Sequence, residues 1–295
     1  MATTTSITTT YAGEFAGKYI SAALLSADTL EGGGVTIKPN VKYKEVMKTL
    51  STDAIVKDAT CDFSDTSTLT LAEKILQPEE FQVNLELCKS DFASDWEAIS
   101  MGYSAFDELP SNFADYLIGH VAAKVAQKTE QTIWTGATAN AGEFNGFGAL
   151  LAADTDVVDV TGTSVTAVPT SIYGKDDLYI YVSSNVARAY VRALGGFGAS
   201  GLGANGVRNE GTTWFNNQDL AFDGVKIFVA SGMANNTMVA AQKSNLFFGT
   251  GLMSDQNEVK LLDMADLDGS KNVRVVMRYT AGVQIGIGAD IVYYS

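Results

Sequence analysis

The segment from Leu109-Pro110-Ser111 to Trp134-Thr135-Gly136 constrains the fold more than any other stretch of the chain. Pro110 and Ser111 form a helix start signal and Gly136 a stop; between them there is no proline and a single glycine. This predicts one helix of roughly 25 residues, which at about 1.5 Å rise per residue reaches roughly 37 Å. His120, Lys124, Gln127, Lys128 and Gln131 recur at i+3/i+4 as a polar stripe, and Ile118, Val121, Ala122, Val125, Ala126 and Ile133 form the other face. The helix is therefore read as amphipathic and half buried. A rod of that length in a β-rich chain is a scaffold element, and its surroundings decide what it scaffolds.

Residues 1–10 are a Thr-rich tract without periodicity, read as a flexible arm, with a short helix expected from about Gly17 to Ala27. Gly32-Gly33-Gly34 reads as a hinge, and Val35-Thr36-Ile37 with Pro39-Asn40 as a strand meeting a turn. From Lys42 to Leu76 the chain is polar and β-biased, which suggests an extended hairpin rather than core. Phe81, Val83, Leu85 and Leu87 then alternate with Gln82, Asn84 and Glu86, the pattern of a half-buried strand. Ser94-Asp95-Trp96-Glu97 is a capping box that opens a short helix.

Beyond the long helix, Gly- and Ala-rich sequence runs through Phe144-Asn145-Gly146-Phe147-Gly148. Asp177 to Val182 reads as a strand leading into Ser183-Ser184, the N-cap of a second helix that stops at Gly195-Gly196. Further strands are expected at Val225–Ala230, Asn245–Phe248, Val273–Tyr279 and Val283–Ile287, with no internal repeat. The order of elements makes an α+β architecture.

Charged residues are 18% of the chain, against roughly 25% in an average domain, while hydrophobic residues reach 46%. That leaves two readings open: a well-packed β-rich domain, or an obligate assembler whose surface is covered by partners. The net charge of −14 disfavours nucleic-acid binding by bulk electrostatics, although one local basic face remains compatible with contact. Cys61 and Cys88 are the only cysteines and are expected to be free, buried thiols made in a reducing cytoplasm. No signal peptide is expected at Met1-Ala2-Thr3-Thr4-Thr5. The most apolar run, Ala281 to Tyr294, is interrupted by Gln284 and Asp290, so no membrane span is expected.

The motifs that look chemical fail on context. Gly196 to Gly201 and Gly201 to Gly206 both match G-x-G-x-x-G, but a dinucleotide site needs a strand before the glycines and a helix after them. Here a helix precedes and turn formers follow, so an exposed flexible loop is expected and no cofactor. His120 is the single histidine, and no Cys or second His stands at metal-ligand spacing, so it reads as a solvated helix-face residue. Asp263, Asp266 and Asp268 before Gly269 lack the spacing and closing glutamate of a calcium loop and read as an acidic β-turn. Glu79-Glu80 and Asp176-Asp177 are adjacent pairs that read as solvated surface. No enzyme signature survives, and no catalytic, cofactor or metal residue is assigned.

Three stretches carry a likeness to a known family. Leu87-Cys88-Lys89-Ser90-Asp91-Phe92 with Trp96 looks like the approach to that family's spine helix. Glu130-Gln131-Thr132-Ile133-Trp134-Thr135-Gly136 followed by Phe144-Asn145-Gly146 looks like the exit from it. Ala240 to Thr250, with Asp255 and Glu258, looks like its returning strand pair. Together with the order of elements, the chain resembles a tailed-bacteriophage major capsid protein of the Hong Kong 97-type capsid fold. The resemblance implies an N-terminal arm at 1–32 and an E-loop hairpin at 33–76. It implies a peripheral domain with the spine helix at 77–136, completed by strands at 245–295, and an axial domain at 137–244. The short Thr-rich start suggests no cleaved scaffolding segment, and no Lys–Asn crosslinking pair is identified.

The resemblance also implies a function: self-assembly into an icosahedral virion head enclosing double-stranded DNA, with the chain synthesised in the host cytoplasm. Partners would be many copies of itself as hexamers and pentamers, together with scaffold, portal and cement proteins, and DNA held without sequence specificity. Lys42, Lys44, Lys48, Lys57 and Asp58 would supply inter-subunit charges on the hairpin. Gly196, Gly198, Gly201 and Gly203 would lie where subunits meet around capsomer axes. Lys124 and Lys128 would face the interior and its DNA, or alternatively form a solvated helix face. Other functions in view are an encapsulin-like nanocompartment shell, a nucleotide-dependent enzyme using the glycine loop, and an acidic secreted or surface-layer module.

Overall fold

The computed structural model describes residues 28–52, 55–59, 61, 65–92, 111–160, 172–195, 220–222, 224–251 and 260–295. The arm and helix expected before Ala27, the capping box at Ser94 and the glycines from Gly196 to Gly206 lie outside the described residues. The described residues open with a single helical turn α1 (Asp28–Glu31), then β1 (Thr36–Lys38), β2 (Glu45–Thr52), β3 (Leu69–Leu76) and β4 (Glu79–Cys88). A turn α2 (Lys89–Phe92) precedes the long α3 (Ser111–Thr135), followed by α4 (Phe147–Ala153), β5 (Val158–Val160), β6 (Leu178–Ser183) and α5 (Ser184–Gly195). The remainder is β7 (Ala221–Phe222), β8 (Val225–Ala230), β9 (Met238–Gln242), β10 (Leu246–Gly249), β11 (Lys260–Asp263), α6 (Ala265–Asp268), β12 (Asn272–Ile285) and β13 (Val292–Tyr294).

Among the described residues the strands form three sheets. The first runs β1-β10-β12-β11 with β4 beside β12, the second β5-β13-β9-β6-β8-β7, and the third is the ribbon β2-β3. The first is organised on β12, which pairs with β4 from Asn272↔Cys88 to Ala281↔Glu79 and with β10 from Gly249↔Gly282 to Leu246↔Ile285. Phe81, Val83, Leu85 and Leu87 stand opposite Tyr279, Met277, Val275 and Val273 and so share their face of the sheet, as their alternation predicts.

The sequence pattern divides β12 in two, at Val273–Tyr279 and Val283–Ile287, whereas the structure has one strand of 14 residues. Ala281 is fully buried in mid-strand. At Gly282 the backbone of Gln77 and Pro78 crosses so closely that a Cβ would stand 2.9 Å from the Gln77 oxygen. The small residues that look like a break are the place where another segment packs.

The main core gathers where both sheets meet the C-terminal end of α3. It joins Ile133 and Trp134 to Phe147 and Leu151 of α4, Phe248, Val283 and Ile285 of the first sheet, and Tyr181 and Val239 of the second. Trp134 centres its ring 5.3 Å from Phe147 and 5.4 Å from Tyr181. A smaller cluster of Val182, Ala187, Leu220 and Ile227 seats α5 on the second sheet. Each large side chain so buried contributes about 1.5–3 kcal/mol, so the folding energy concentrates at one end of the rod.

This corrects the amphipathic reading of α3. Val121 and Ile133 are buried, but Ala122 is exposed, while Thr129, Glu130 and Thr132 are buried in its last turns. The periodicity fails because the core touches the final turns from several sides. There Thr132 Oγ1 donates to the Lys128 carbonyl at 2.8 Å, which hides its hydroxyl from the apolar surroundings. The Glu130 carboxylate is capped by Thr29, whose backbone N–H and hydroxyl donate to it at 3.1 and 2.6 Å.

The chain passes from the second sheet to the first at Lys243–Asn245 and returns after Ile285. Asn245 pins both crossings: its Nδ2 donates to the Ile287 carbonyl at 2.8 Å and its Oδ1 accepts the Ile287 N–H at 2.7 Å. One buried amide thus locks the two sheets together.

Candidate assembly surface

The ribbon β2-β3 has a register that sorts its side chains by face. Val46, Lys48, Leu50 and Thr52 stand opposite Ile75, Glu73, Leu71 and Leu69, and directly opposed residues of an antiparallel pair share a face. The other face carries Glu45, Met47, Thr49 and Ser51 with Leu76, Lys74, Ala72 and Thr70. On the first face Val46, Leu50, Leu69, Leu71 and Ile75 are all exposed, Leu50 to 61% and Leu71 to 71%. A two-stranded ribbon is marginal without a layer behind it, and an exposed apolar face of this kind is a candidate interaction surface.

The signal was in the sequence, in the spacing of Val46 and Leu50 and of Leu69, Leu71 and Ile75, but the surrounding charges masked it. Those charges have their own places. Lys42, Lys44, Lys48, Lys57 and Asp58 are exposed, Lys48 stands opposite Glu73, and the Lys44 ammonium lies 5.2 Å from the Tyr43 ring centre.

The root of the ribbon is firmly seated. Leu76 is fully buried against Gly249, where a Cβ would stand 2.9 Å from its side chain. Gln284 Nε2 donates to the Ile75 carbonyl at 2.8 Å. Lys74 pairs with Asp154 and Lys38 with Glu45. Burial of Asp154 opposes its ionisation, but the Lys74 ammonium and the Asp156 N–H outweigh that and hold its carboxyl below the usual range.

The structure separates the two lysines of α3. Lys124 is exposed, with its ammonium 3.4 Å from Gln127 Oε1. Lys128 is committed to an ion pair with Glu143. That carboxylate also accepts from Asn140 Nδ2 at 2.9 Å and the Ala137 N–H at 3.2 Å. The hydrogen bond from Lys128, then those from Asn140 and Ala137, draw the Glu143 carboxyl down to about 2. His120 is half-buried rather than solvated: it stacks on Tyr116 with ring centres 6.3 Å apart, and its Nδ1 is buried with no hydrogen-bond partner among the described residues.

Other expected surface groups take structural work. Asp177 accepts from Ser244 Oγ at 2.5 Å and Gln242 Nε2 at 2.8 Å, so it anchors the sheet crossing instead of forming a solvated pair with Asp176. The segment after Asp263 is a helical turn, Ala265–Asp268, closed by Gly269 at φ 72°, not a β-turn. Asp263 itself pairs with the buried Lys89 at 2.5 Å. Both cysteines are free, but Cys61 is exposed and Cys88 half-buried, contrary to the expectation of buried thiols. Among the described residues no group of three or more His, Cys, Asp or Glu side chains is placed to hold a metal ion. Gly196, Gly198, Gly201 and Gly203 lie outside the described residues, directly after α5.

No family model and no curated protein sequence matches the chain. Solved structures do. The capsid of a native GTA particle, computed with C5 symmetry, is 13% identical with a TM-score of 0.60, over 94% of this chain and 93% of that one. A structure from Microbacterium phage Oxtober96 is 16% identical with a TM-score of 0.53, over 97% of this chain and 96% of that one. A structure from Mycobacterium phage Adephagia is 18% identical with a TM-score of 0.55, over 90% of this chain and 86% of that one. At these identities the likeness establishes the fold, that of a tailed-phage major capsid protein.

Proposed function

We propose that this chain, which has the tailed-phage major capsid fold, is a structural shell subunit that self-assembles into an icosahedral head around double-stranded DNA. The observation that carries the reading is the apolar face of the ribbon, a projecting surface that its own subunit leaves exposed on Leu50, Leu69 and Leu71. On this reading the ribbon is the E-loop and lies across a neighbouring copy. Apolar contact supplies the attraction, while Lys42, Lys44, Lys48, Lys57 and Asp58 set register and exclude wrong partners. Each contact can be weak, because a closed shell sums many of them.

The remaining assignments follow the same reading. Residues 1–32 form the N-terminal arm and 33–76 the E-loop; 77–136, with strands from 245–295, form the peripheral domain, and 137–244 the axial domain. Gly196, Gly198, Gly201 and Gly203 belong to the tip around capsomer axes. Hexamers and pentamers of the chain build the virion, assisted by scaffold, portal and cement proteins. An encapsulin-like shell has the same kind of subunit but a protein cargo, which gives the test. Electron microscopy of purified particles with nuclease protection is expected to show icosahedral shells holding genome-length protected DNA. Shells without protected DNA would favour the nanocompartment, and a chain that stays monomeric at high concentration, with or without scaffold, would end both.

A further inference from the structure

The root of the ribbon carries two ion pairs of opposite polarity. On β2 the acid belongs to the ribbon: Glu45 meets Lys38 of β1 at 3.0 Å. On β3 the base belongs to the ribbon: Lys74 meets Asp154 at 2.5 Å. Glu45 stands opposite Leu76 and Lys74 opposite Met47, so both tethered residues lie on the same face, two register steps apart on adjacent strands.

Their body ends stand on different elements. Lys38 belongs to β1, the edge strand of the first sheet. Asp154 caps the C-terminus of α4, accepts the Asp156 N–H at 3.0 Å, and packs beside Gly288, just before β13 of the second sheet. Between the tethers is a pivot, the buried Leu76 and the Gln284–Ile75 hydrogen bond. The ribbon is thus tied at its root on both strands, β2 to Lys38 and β3 to Asp154.

We propose that Lys38–Glu45 and Lys74–Asp154 are paired electrostatic stays that restrain the ribbon at its root, and that losing either increases its mobility. The consequence for assembly rests on the shell-subunit reading, since the mobility of the ribbon decides how its apolar face meets a neighbouring copy. Partly exposed ion pairs are weak one at a time, so a neighbour that buries the apolar face can displace them. The two are unequal: side-chain exposure is 36% at both Lys38 and Glu45, against 25% and 18% at Lys74 and Asp154. Salt therefore screens the β2 stay first.

Cys61, exposed in the connection between β2 and β3, supplies a native probe position. A thiol-reactive fluorophore there, with Cys88→Ser, reports ribbon mobility by anisotropy in the full-length subunit below its assembly concentration. Lys38→Met and Lys74→Met are each expected to lose anisotropy, and the exchange Lys74→Glu with Asp154→Lys to recover it. The otherwise unaltered chain is expected to lose anisotropy as salt rises, more than the Lys38→Met/Lys74→Met double variant does, a comparison that also serves if a single variant folds poorly. Unchanged anisotropy in both single variants, or the same salt response with and without the stays, would overturn the proposal. The measurement involves no particle, so its failure leaves the shell reading standing, and a chain that never assembles leaves its result intact.

Discussion

Trp134 and Thr29, 105 residues apart, are joined by a hydrogen bond from the indole Nε1 to the threonine hydroxyl at 2.8 Å. That hydroxyl donates its own hydrogen bond to Glu130 Oε1 at 2.6 Å, while the Thr29 N–H donates to Glu130 Oε2. The turn at residues 28–34 is thereby fastened to the last turns of α3. Thr29→Val removes both the acceptor for Trp134 and a donor to a buried carboxylate. It is expected to cost about 2 kcal/mol or more, since each buried polar group left unmatched costs about 1–3 kcal/mol. Urea denaturation reads the loss; an unshifted midpoint would show the knot to be ornamental.

The loop after β8 meets the same helix end backbone to backbone. A Cβ on Gly232 would stand 2.2 Å from the Glu130 carbonyl oxygen, a contact that no rotamer relieves because both partners are main chain. Gly232→Ala must push the loop from the helix and is expected to destabilise by about 1–3 kcal/mol. Thermal unfolding checks it, with Gly119→Ala as a comparison at an exposed glycine of α3, where a Cβ meets nothing within 4 Å.

The apolar ribbon face predicts a separation of folding from assembly. Leu50 and Leu71 are more exposed than buried in the subunit, so Leu50→Asp and Leu71→Asp are expected to change its stability by no more than about 0.5 kcal/mol. On the proposed shell-subunit reading both should abolish shells, because each would place a carboxylate in an apolar contact between copies. Sedimentation of the subunit and particles gives the two readings together. Normal shells from both variants would remove the apolar contact from the mechanism.

Glu143 predicts how the exit from α3 responds to acid. Its carboxyl falls from an ordinary value of 4.5 to about 2 in the folded chain. A lowered carboxyl pKa contributes stability that is complete above the unfolded value and is lost as pH falls through the folded one. The difference in Tm between the chain and its Glu143→Gln variant should therefore be full at neutral pH, shrink below pH 4.5, and close near pH 2. A difference that stays constant over that window would dissociate Glu143 from acid stability.

Local chemistry made some of this legible and distance hid the rest. The bounds of α3, Ser111 and Thr135, follow from a proline, a serine and a glycine within a few residues of each end. The strand into α5 is equally local. By contrast Glu130 looks like any helix-surface acid until Thr29 is brought to it across 101 residues. Gly282 looks like a strand break because nothing nearby in sequence announces Gln77 and Pro78. The ribbon was legible as an extended hairpin outside the core, but its apolar face was not, since Lys48 and Glu73 interrupt the alternation of Val46 and Leu50 and of Leu71 and Ile75.

The two lysines of α3 separate in a way that makes the DNA-contact idea testable. Lys128→Glu would set a second carboxylate against Glu143 in place of its ion-pair partner, so it is expected to unseat the turn at 137–146 whatever lies in the interior. Any packaging defect it causes is ambiguous. Among the described residues Lys124 has only a long contact to Gln127, and it stands at an exposed position, so Lys124→Glu should leave subunit stability unchanged. If the strip approaches DNA, Lys124→Glu alone reduces the DNA held per particle, and Lys124→Arg restores it because phosphate contact needs charge rather than a particular head group. Equal DNA content in Lys124→Glu and unaltered particles would leave this stretch of helix a solvated face.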